Sequence, residues 1–175
     1  FEKLATSQSR KNPIGVAKMF KTINEYLPTD CIIFDDSVSS GGMLHSAIKF
    51  SKKNTYFGAR GGAIGWGMGS ALGLKLSEPN KNVIAFLGDG TAMMTVQALW
   101  TSVNYKIPVV YIICNNASYR VLKVNMNIYK EEVLNEKNYS SKYLNMDFPL
   151  PFDFCAIAKA FGANGIRIED TNKLG

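Results

Sequence analysis

Histidine and cysteine are scarce in this sequence, which has one histidine, His45, and three widely spaced cysteines, Cys31, Cys114 and Cys155. No C-x-x-C pair occurs, so a structural zinc site is not indicated, and an odd cysteine count does not describe a disulfide framework. Two of the cysteines lie in or beside apolar runs. We therefore expect small buried thiols in a reducing compartment and a structural role for His45.

Long apolar runs and nucleotide fingerprints are also absent. No apolar run approaches 18 residues and no signal peptide is present, so we expect a cytoplasmic protein without a membrane partner. Glycine is dense over residues 58–73, but no G-x-G-x-x-G and no Walker A sequence can be placed there. Dinucleotide binding and P-loop chemistry are therefore not predicted. Such glycine density indicates backbone packed closely against a ligand or another helix.

Charge is modest and dispersed. The net charge is +6, but the Lys and Arg residues are scattered and no RNP-like strand or zinc-finger spacing accompanies them, so we predict no nucleic-acid partner. Hydrophobic residues make up 46% and charged residues 19%, as in an ordinary globular domain. Residues 1–175 are long enough for one domain with one core. Because the sequence begins with Phe1, we expect a fragment of a longer protein.

The most informative stretch is residues 83–118. Apolar residues 83–87 end at Gly88-Asp89-Gly90, and apolar residues 109–114 end at Asn115-Asn116. Residues 91–105 between them have helical composition without Gly or Pro. This order predicts strand, helix, strand, joined by a right-handed crossover within a parallel sheet.

Two oxygen-bearing side chains follow these strands. Asp89 and Asn116 are 27 positions apart (116 − 89), and ligands of open α/β sheets bind beyond the carboxyl ends of the strands. Carboxylate and amide oxygens suit Mg²⁺, and glycines beside them allow a phosphate to approach the backbone. The pattern predicts a magnesium–diphosphate site, although Gly-Asp-Gly alone is also a common turn between strand and helix.

A GDG followed about two dozen residues later by NN resembles the signature of thiamine-diphosphate-dependent enzymes. The segments GGAIGWGMGSALGLKLSEP (61–79) and ALWTSVNYKIP (98–108) are most similar to benzoylformate decarboxylase and acetolactate-synthase-like enzymes. The similarity extends from about residue 12 to residue 174. It implies the thiamine-diphosphate-binding fold, a three-layer αβα arrangement of class α/β with a central, mostly parallel sheet. It also implies that residues 1–175 are the diphosphate-binding domain, without the pyrimidine-binding and middle domains.

The resemblance implies a ligand set. Mg²⁺ would be held by Asp89, Asn116 and the Ser118 carbonyl, with two diphosphate oxygens and a water completing six-fold coordination. The diphosphate would be bound by the amides of Gly90 and Thr91. The full set of implied cofactor-binding residues is Ser37, Ser39, Gly62, Ile64, Gly88, Gly90, Thr91 and Tyr119.

Several of these residues have a second interpretation. Ser37 and Ser39 are implied to donate to the diphosphate, but the polar cluster 35–42 is equally a helix cap, and Val38 stands where benzoylformate decarboxylase has a hydroxyl residue. Ile64 is implied to prop the cofactor into a bent shape beside the Gly62 carbonyl, and is otherwise an ordinary core residue. The Tyr119 amide is implied to bind a phosphate.

The implied function is thiamine-diphosphate- and Mg²⁺-dependent, non-oxidative decarboxylation of a small-molecule 2-oxo acid. The alternatives are an acetolactate-synthase-like carboligase and a cofactor-binding module without catalysis of its own. No catalytic residue is expected in this chain, because the family's activating glutamate lies in another domain of a partner subunit. We therefore expect the full-length protein to be a homodimer or a dimer of dimers.

The rest of the chain gives predictions of secondary structure. Pro13 is placed in the first turn of a helix that continues to residue 27. Residues 124–151 are predicted to be a long irregular loop, a lid or an inter-subunit contact. Residues 153–161 are predicted to be a helix with Asp153 as N-cap and Gly162 as its stop, followed by a strand over 165–168.

Overall fold

The structure is a computed structural model that describes residues 1–58, 61–138 and 142–174. Residues 59 and 60 of the glycine-rich stretch and 139–141 of the predicted loop lie outside the described residues. The elements in chain order are α1 (Glu2–Ser7), α2 (Val16–Tyr26), β1 (Cys31–Asp36), a 3₁₀ turn (Val38–Ser40), α3 (Gly41–Ala47), β2 (Tyr56–Gly58), α4 (Gly67–Ser77), β3 (Asn82–Gly88), α5 (Asp89–Met94), α6 (Ala98–Asn104), β4 (Val110–Cys114), α7 (Arg120–Ile128), a π-helical turn (Tyr129–Val133), α8 (Phe154–Ala160) and a 3₁₀ turn (Thr171–Lys173).

The four strands form one parallel sheet in the order β2-β1-β3-β4. The register places Asp36 opposite Leu87 and Gly88 opposite Cys114. The carboxyl ends of β1, β3 and β4 therefore lie side by side at one edge of the sheet. This confirms the predicted parallel α/β fold.

Alternation along the two central strands divides the core between the two faces of the sheet. On β3, Ala85 and Leu87 pack on one face with α4, α5 and α6, whereas Ile84 and Phe86 pack on the other with α2 and α3. Phe86 and Phe20 of α2 are both fully buried, with ring centroids 5.3 Å apart. Helices therefore cover both faces, which is the predicted three-layer arrangement. Within the described residues, no helix is both long enough and apolar enough to cross a membrane.

The prediction of a single helix over residues 91–105 is wrong. The chain forms α5 and α6 instead, and the interruption falls at Thr95, whose φ and ψ are −138° and 32°. The Thr95 hydroxyl donates to the Gly65 carbonyl at 2.5 Å. A short polar side chain can hydrogen-bond outside the helix in this way and so favour a break that composition does not show.

Three other sequence predictions are corrected by the structure. Helix α2 begins at Val16, so Pro13 precedes the helix instead of lying in its first turn. Residues 124–133 are helical instead of irregular, because α7 runs to Ile128 and continues into the π-helical turn. Residues 165–168 form no strand in the described part of the chain. Gly165 instead lies against α8, where a Cβ on it would be 2.8 Å from the Cys155 Cα.

The prediction for residues 153–161 is confirmed. Helix α8 spans Phe154–Ala160, and the Asp153 carboxylate accepts the Ala156 amide at 3.0 Å as its N-cap. Gly162 follows with a φ of +82°, the left-handed conformation that glycine adopts without a steric penalty.

Candidate cofactor and metal site

Asp89 lies at the base of the edge where β3 and β4 end. Its side chain is 3% exposed, although it begins a helix at the end of a strand. Its Oδ1 accepts the Gly90 amide at 2.8 Å and its Oδ2 accepts the Asn116 amide at 3.1 Å. The second bond joins the two segments that the sequence singled out, 27 positions apart, across the strand ends.

The two asparagines of the Asn115-Asn116 turn are both exposed but make different contacts. Asn115 is tied to the protein, since its Oδ1 accepts the Ala117 amide and its Nδ2 donates to the Phe152 carbonyl. Asn116 is exposed and uses its backbone amide to reach Asp89. Ala117 has a φ of +54°, an uncommon value for a residue with a Cβ. The turn is therefore held in a specific shape beside Asp89.

Gly90 and Thr91 form the first turn of α5, where backbone amides have no partner four residues earlier in the helix. The Tyr119 ring packs directly on Gly90, because a Cβ at Gly90 would lie 2.4 Å from the Tyr119 Cε1. Gly88 is less confined, and a Cβ there would be 3.4 Å from the Thr91 hydroxyl oxygen and 3.8 Å from the Ser37 carbonyl. The ends of β1 and β3 therefore approach each other across Gly88.

Ser37 and Ser39 have different surroundings. Ser37 is 2% exposed, and both its amide and its hydroxyl donate to Asp35 Oδ1, at 2.9 and 2.6 Å. Ser39 is exposed. Val38 between them has a φ of +51°, which is strained for a β-branched residue and is the kind of strain that recurs at ligand sites. Ser37 thus shapes this turn, and only Ser39 offers an exposed hydroxyl.

Asp35 is held by a chain of hydrogen bonds that sequence reasoning missed. The Tyr56 hydroxyl donates to Asp35 Oδ2 at 3.1 Å and is itself 2.9 Å from the His45 Nε2. Burial, together with the neighbouring Asp35 carboxylate, raises the pKa of Tyr56, so the phenol stays protonated as the donor. His45 also packs edge-on against Phe50. The predicted structural role of His45 therefore includes a link to the site.

A cavity of about 250 Å³ opens beside these residues and is lined by Asp35, Asp36, Val38, Tyr56, Gly62, Ala63 and Ile64. Ile64 is 37% exposed, so it is not a core residue in this structure. Gly62 has a φ of +73°, a left-handed conformation that would strain any other residue. The turn that contains Gly62 and Ile64 therefore forms a wall of this cavity.

Ser118 and Tyr119 are covered by a distant segment that the sequence did not place. The Tyr119 amide donates to the Met146 carbonyl at 2.9 Å, and the Ser118 hydroxyl donates to the same carbonyl at 2.9 Å. A Tyr119 amide bonded to Met146 would have to exchange this partner for a phosphate. The Tyr119 ring packs edge-to-face against the Phe148 ring, with centroids 4.8 Å apart.

The sequence model of the family described as "Thiamine pyrophosphate enzyme, C-terminal TPP binding domain" matches residues 36–175, which include every element that contributes to the site except most of β1. The chain belongs to this family. Its members bind thiamine diphosphate, also called thiamine pyrophosphate or TPP, and Mg²⁺ is the usual partner metal.

Two relatives agree with this assignment. The benzoylformate decarboxylase of Pseudomonas aeruginosa is 28% identical over 162 residues, which cover 93% of this chain and 29% of that protein. The acetolactate synthase large subunit of Haemophilus influenzae is 34% identical over 113 residues, covering 65% of this chain and 18% of that protein. This chain thus spans less than a third of the length of either relative.

Solved structures give the same result. The thiamine diphosphate-dependent 4-hydroxybenzoylformate decarboxylase of Rhodococcus jostii superposes with a TM-score of 0.80 at 29% identity, covering 93% of this chain and 29% of that one. The benzoylformate decarboxylase of Polynucleobacter necessarius gives a TM-score of 0.76 at 25% identity and the same coverage. The TPP-binding fold of this chain is therefore shared with both decarboxylases.

The residues of this TPP-binding domain fit a magnesium ion. Each Asp89 oxygen accepts one backbone amide, and a carboxylate oxygen has a second lone pair with which it can bind a metal. None of the ion pairs found among the described residues involves Asp89, so the charge of this buried carboxylate is not balanced by a Lys or Arg there. The described residues contain no group of three His, Cys, Asp or Glu side chains that could hold a metal. The set of Asp89, Asn116 and the Ser118 carbonyl has only one such side chain and is composed of oxygen donors, which Mg²⁺ prefers.

Proposed function

We propose that this chain supplies the TPP–Mg²⁺ half of an active site that decarboxylates a small 2-oxo acid without oxidation, as in benzoylformate decarboxylase. The observation that carries the proposal is the hydrogen bond of 3.1 Å from the Asn116 backbone amide to Asp89 Oδ2, which joins a buried carboxylate to an exposed asparagine at the carboxyl edge of the sheet. The decarboxylase relatives, which match 93% of the chain, favour this reaction.

In the proposed site, Asp89, Asn116 and the Ser118 carbonyl hold Mg²⁺, and the amides of Gly90 and Thr91 bind the diphosphate. The Gly90 amide would then exchange Asp89 Oδ1, its acceptor at 2.8 Å, for a phosphate oxygen. Asp89 provides the only charge among the protein ligands, and its two amide bonds fix its orientation before a metal arrives. The remaining proposed contacts to the cofactor come from Ser37, Ser39, Gly62, Ile64, Gly88 and Tyr119.

Bound TPP supplies the nucleophilic carbon and the electron sink that loss of CO₂ from a 2-oxo acid requires. The contribution of this chain is binding, orientation and exclusion of water. Gly62 and Ile64 project from the cavity wall, where Ile64 offers an apolar surface to the ring half of the cofactor and Gly62 a backbone carbonyl. No residue of this chain is proposed to transfer a proton to the substrate, and the activating glutamate is proposed to come from another domain.

The proposal extends to the assembly. Because this chain supplies only one half of the site, the full-length protein is proposed to contain pyrimidine-binding and middle domains and to form a homodimer or a dimer of dimers. Activity per subunit is then expected to fall on dilution below the dimer dissociation constant and to recover on concentration. Sedimentation measured alongside activity tests this, and a fully active monomer would contradict it. The three free cysteines support a reducing, cytoplasmic location.

The test of function is an assay of the intact protein with a panel of 2-oxo acids that follows CO₂ and acyloin products separately. A decarboxylase releases CO₂ and aldehyde from a single 2-oxo acid, and prior removal of Mg²⁺ with a chelator abolishes the reaction. Release of CO₂ that is unaffected by chelation or by omission of TPP would refute the proposal.

A second candidate is an acetolactate-synthase-like carboligase, favoured by the higher identity to the Haemophilus influenzae subunit over residues of the same domain. An acyloin product from two 2-oxo acids, or flavin in the purified intact protein, would support it. A third candidate is a binding module without catalysis. Tight Mg²⁺-dependent TPP binding without any CO₂ or acyloin product would favour that candidate.

A further inference from the structure

Gly65 is held by two side chains that the proposed function does not use. Its amide donates to Asp36 Oδ2 at 3.1 Å, and its carbonyl accepts the Thr95 hydroxyl at 2.5 Å. Asp36 lies at the end of β1, and Thr95 lies in the break between α5 and α6, so the two contacts come from different elements. The Gly67 amide also donates to Asp36 Oδ2, at 3.0 Å.

The backbone at Gly65 and Gly67 leaves no space for a side chain. A Cβ at Gly65 would be 2.7 Å from the Met94 Cβ, and the φ of +96° excludes most other residues. A Cβ at Gly67 would be 2.6 Å from the Leu87 Cδ2 and 2.7 Å from the Asp36 Cβ. The backbone at residues 65–67 is thus pressed against β1, β3 and α5.

We call the contacts of Asp36 and Thr95 with Gly65 the clamp. It lies immediately after the turn that contains Gly62 and Ile64. The Trp66 indole donates to the Ala63 carbonyl at 3.2 Å and packs edge-on against Phe34 with centroids 5.4 Å apart, so the Trp66 side chain connects the clamped segment to the turn. Gly62, Ala63 and Ile64 line the cavity, and Ile64 is 37% exposed.

Burial of the Asp36 carboxyl group at this position costs free energy. It is 1% exposed, and its Oδ1 has no hydrogen-bond partner among the described residues. An unsatisfied buried polar atom costs about 1–3 kcal/mol. Burial raises the pKa of Asp36 and the adjacent Asp35 carboxylate raises it further, against the two glycine amides, which lower it. The two glycine amides are therefore the interactions that compensate for burying this carboxyl group.

We propose that Asp36 and Thr95 are positioning residues that fix the Gly62–Ile64 turn, and through it the ring half of the bound cofactor. This inference rests on the proposed function. The clamp has no bond to Asp89, whose carboxylate is held by the Gly90 and Asn116 amides, so the diphosphate half of the site is anchored separately. Loss of the clamp should weaken binding of the rings without weakening binding of the diphosphate.

Thr95→Val in the intact protein is the test, because it removes one hydroxyl and preserves the shape of the side chain. Calorimetry measures the affinity for TPP and for inorganic diphosphate, each with Mg²⁺. We expect the TPP affinity to fall about tenfold, since one hydrogen bond that orders the turn is lost. The affinity for inorganic diphosphate should change by less than about twofold. Thr95→Ser, which restores a hydroxyl, should recover the TPP affinity.

The matched control is Ser102→Ala, which removes a hydrogen bond from a hydroxyl to the Ile107 carbonyl at 2.7 Å, in α6 away from the cavity. It should change neither affinity. Asp36→Ala should lower the TPP affinity in the same selective way, and where this variant does not fold, Thr95→Val decides alone.

Each outcome bears on the inference. A fall in both affinities by the same factor shows a general structural effect and refutes the inference, as does an unchanged TPP affinity in Thr95→Val. In either case binding of both probes by the wild type leaves the proposed function intact. A wild-type protein that binds neither probe refutes the proposed function itself, and the inference with it.

Discussion

Replacing Asp89 with alanine tests the metal assignment directly, because Asp89 is the only charged group in the proposed Mg²⁺ ligand set. The substitution removes the carboxylate that accepts the Gly90 and Asn116 amides at 2.8 and 3.1 Å. We expect the variant to fold, to lose stability and to lose Mg²⁺-dependent TPP binding.

The magnitudes follow from the structure. The buried Gly90 amide left without an acceptor costs about 1–3 kcal/mol of the free energy of unfolding, whereas the amide of the exposed Asn116 costs less because water can replace the lost acceptor. That loss is tolerable for a domain whose stability is about 5–15 kcal/mol. Changes around a metal ligand already lower metal affinity by about 10- to 100-fold, so removing the ligand itself should lower it by about 100-fold or more.

Asp89→Asn separates the two effects. The amide keeps the size of the side chain and one acceptor oxygen, so its stability should lie between those of the wild type and Asp89→Ala. The charge is lost in both variants, so both should lose cofactor affinity to a similar extent. Calorimetric titration of TPP into the intact protein with and without Mg²⁺ measures this. Wild-type affinity in either folded variant would refute the metal assignment.

The remaining predictions concern stability, reactivity and local opening of the intact protein. Gly67→Ala should lower the free energy of unfolding measured by urea titration by about 1–3 kcal/mol, because the added Cβ meets Leu87 and Asp36. Gly69→Ala in the same helix should raise it by about 0.5–1 kcal/mol, because the added Cβ meets nothing within 4 Å. Burial raises the pKa of the Cys114 thiol from 9.0 to about 12, so at pH 8 the thiolate fraction falls about a thousandfold. Iodoacetamide should therefore label Cys114 far more slowly in the folded protein than in the urea-unfolded chain, and equal rates would contradict this. Limited proteolysis should cut first within residues 124–151, because 131–138 are exposed throughout; first cleavage within 58–76 would contradict it.

The strand ends were predictable from the sequence because their signals are local. An apolar run that stops at GDG, and another that stops at NN, specify where β3 and β4 end. The parallel pairing then follows from the crossover connection, and it brings Asp89 and Asn116 into contact without further information. This part of the candidate site therefore required only strand periodicity and chain topology.

The interactions that shape the rest of the site are long-range and have no local pattern. The Thr95–Gly65 bond spans 30 positions and the Tyr56–Asp35 bond 21, and neither follows from helical or strand periodicity. The contact of Met146 with Ser118 spans 28 positions. Single hydroxyl and carbonyl groups of this kind depend on tertiary packing. This explains why the helix break at Thr95 was missed.

The proposed site combines a buried polar base with an exposed apolar rim. At the base, Asp89 is 3% exposed and is held by backbone amides, whereas Val38, Ile64, Trp66 and Met94 around the glycine turn are each 37–48% exposed. TPP has a matching division, with an anionic diphosphate and an aromatic half. Fixed dipoles stabilise developing charge most strongly where water is excluded. The base already provides that environment for the diphosphate, and the rim does not yet provide it for the rings. Catalysis is therefore proposed to require a second domain over this rim.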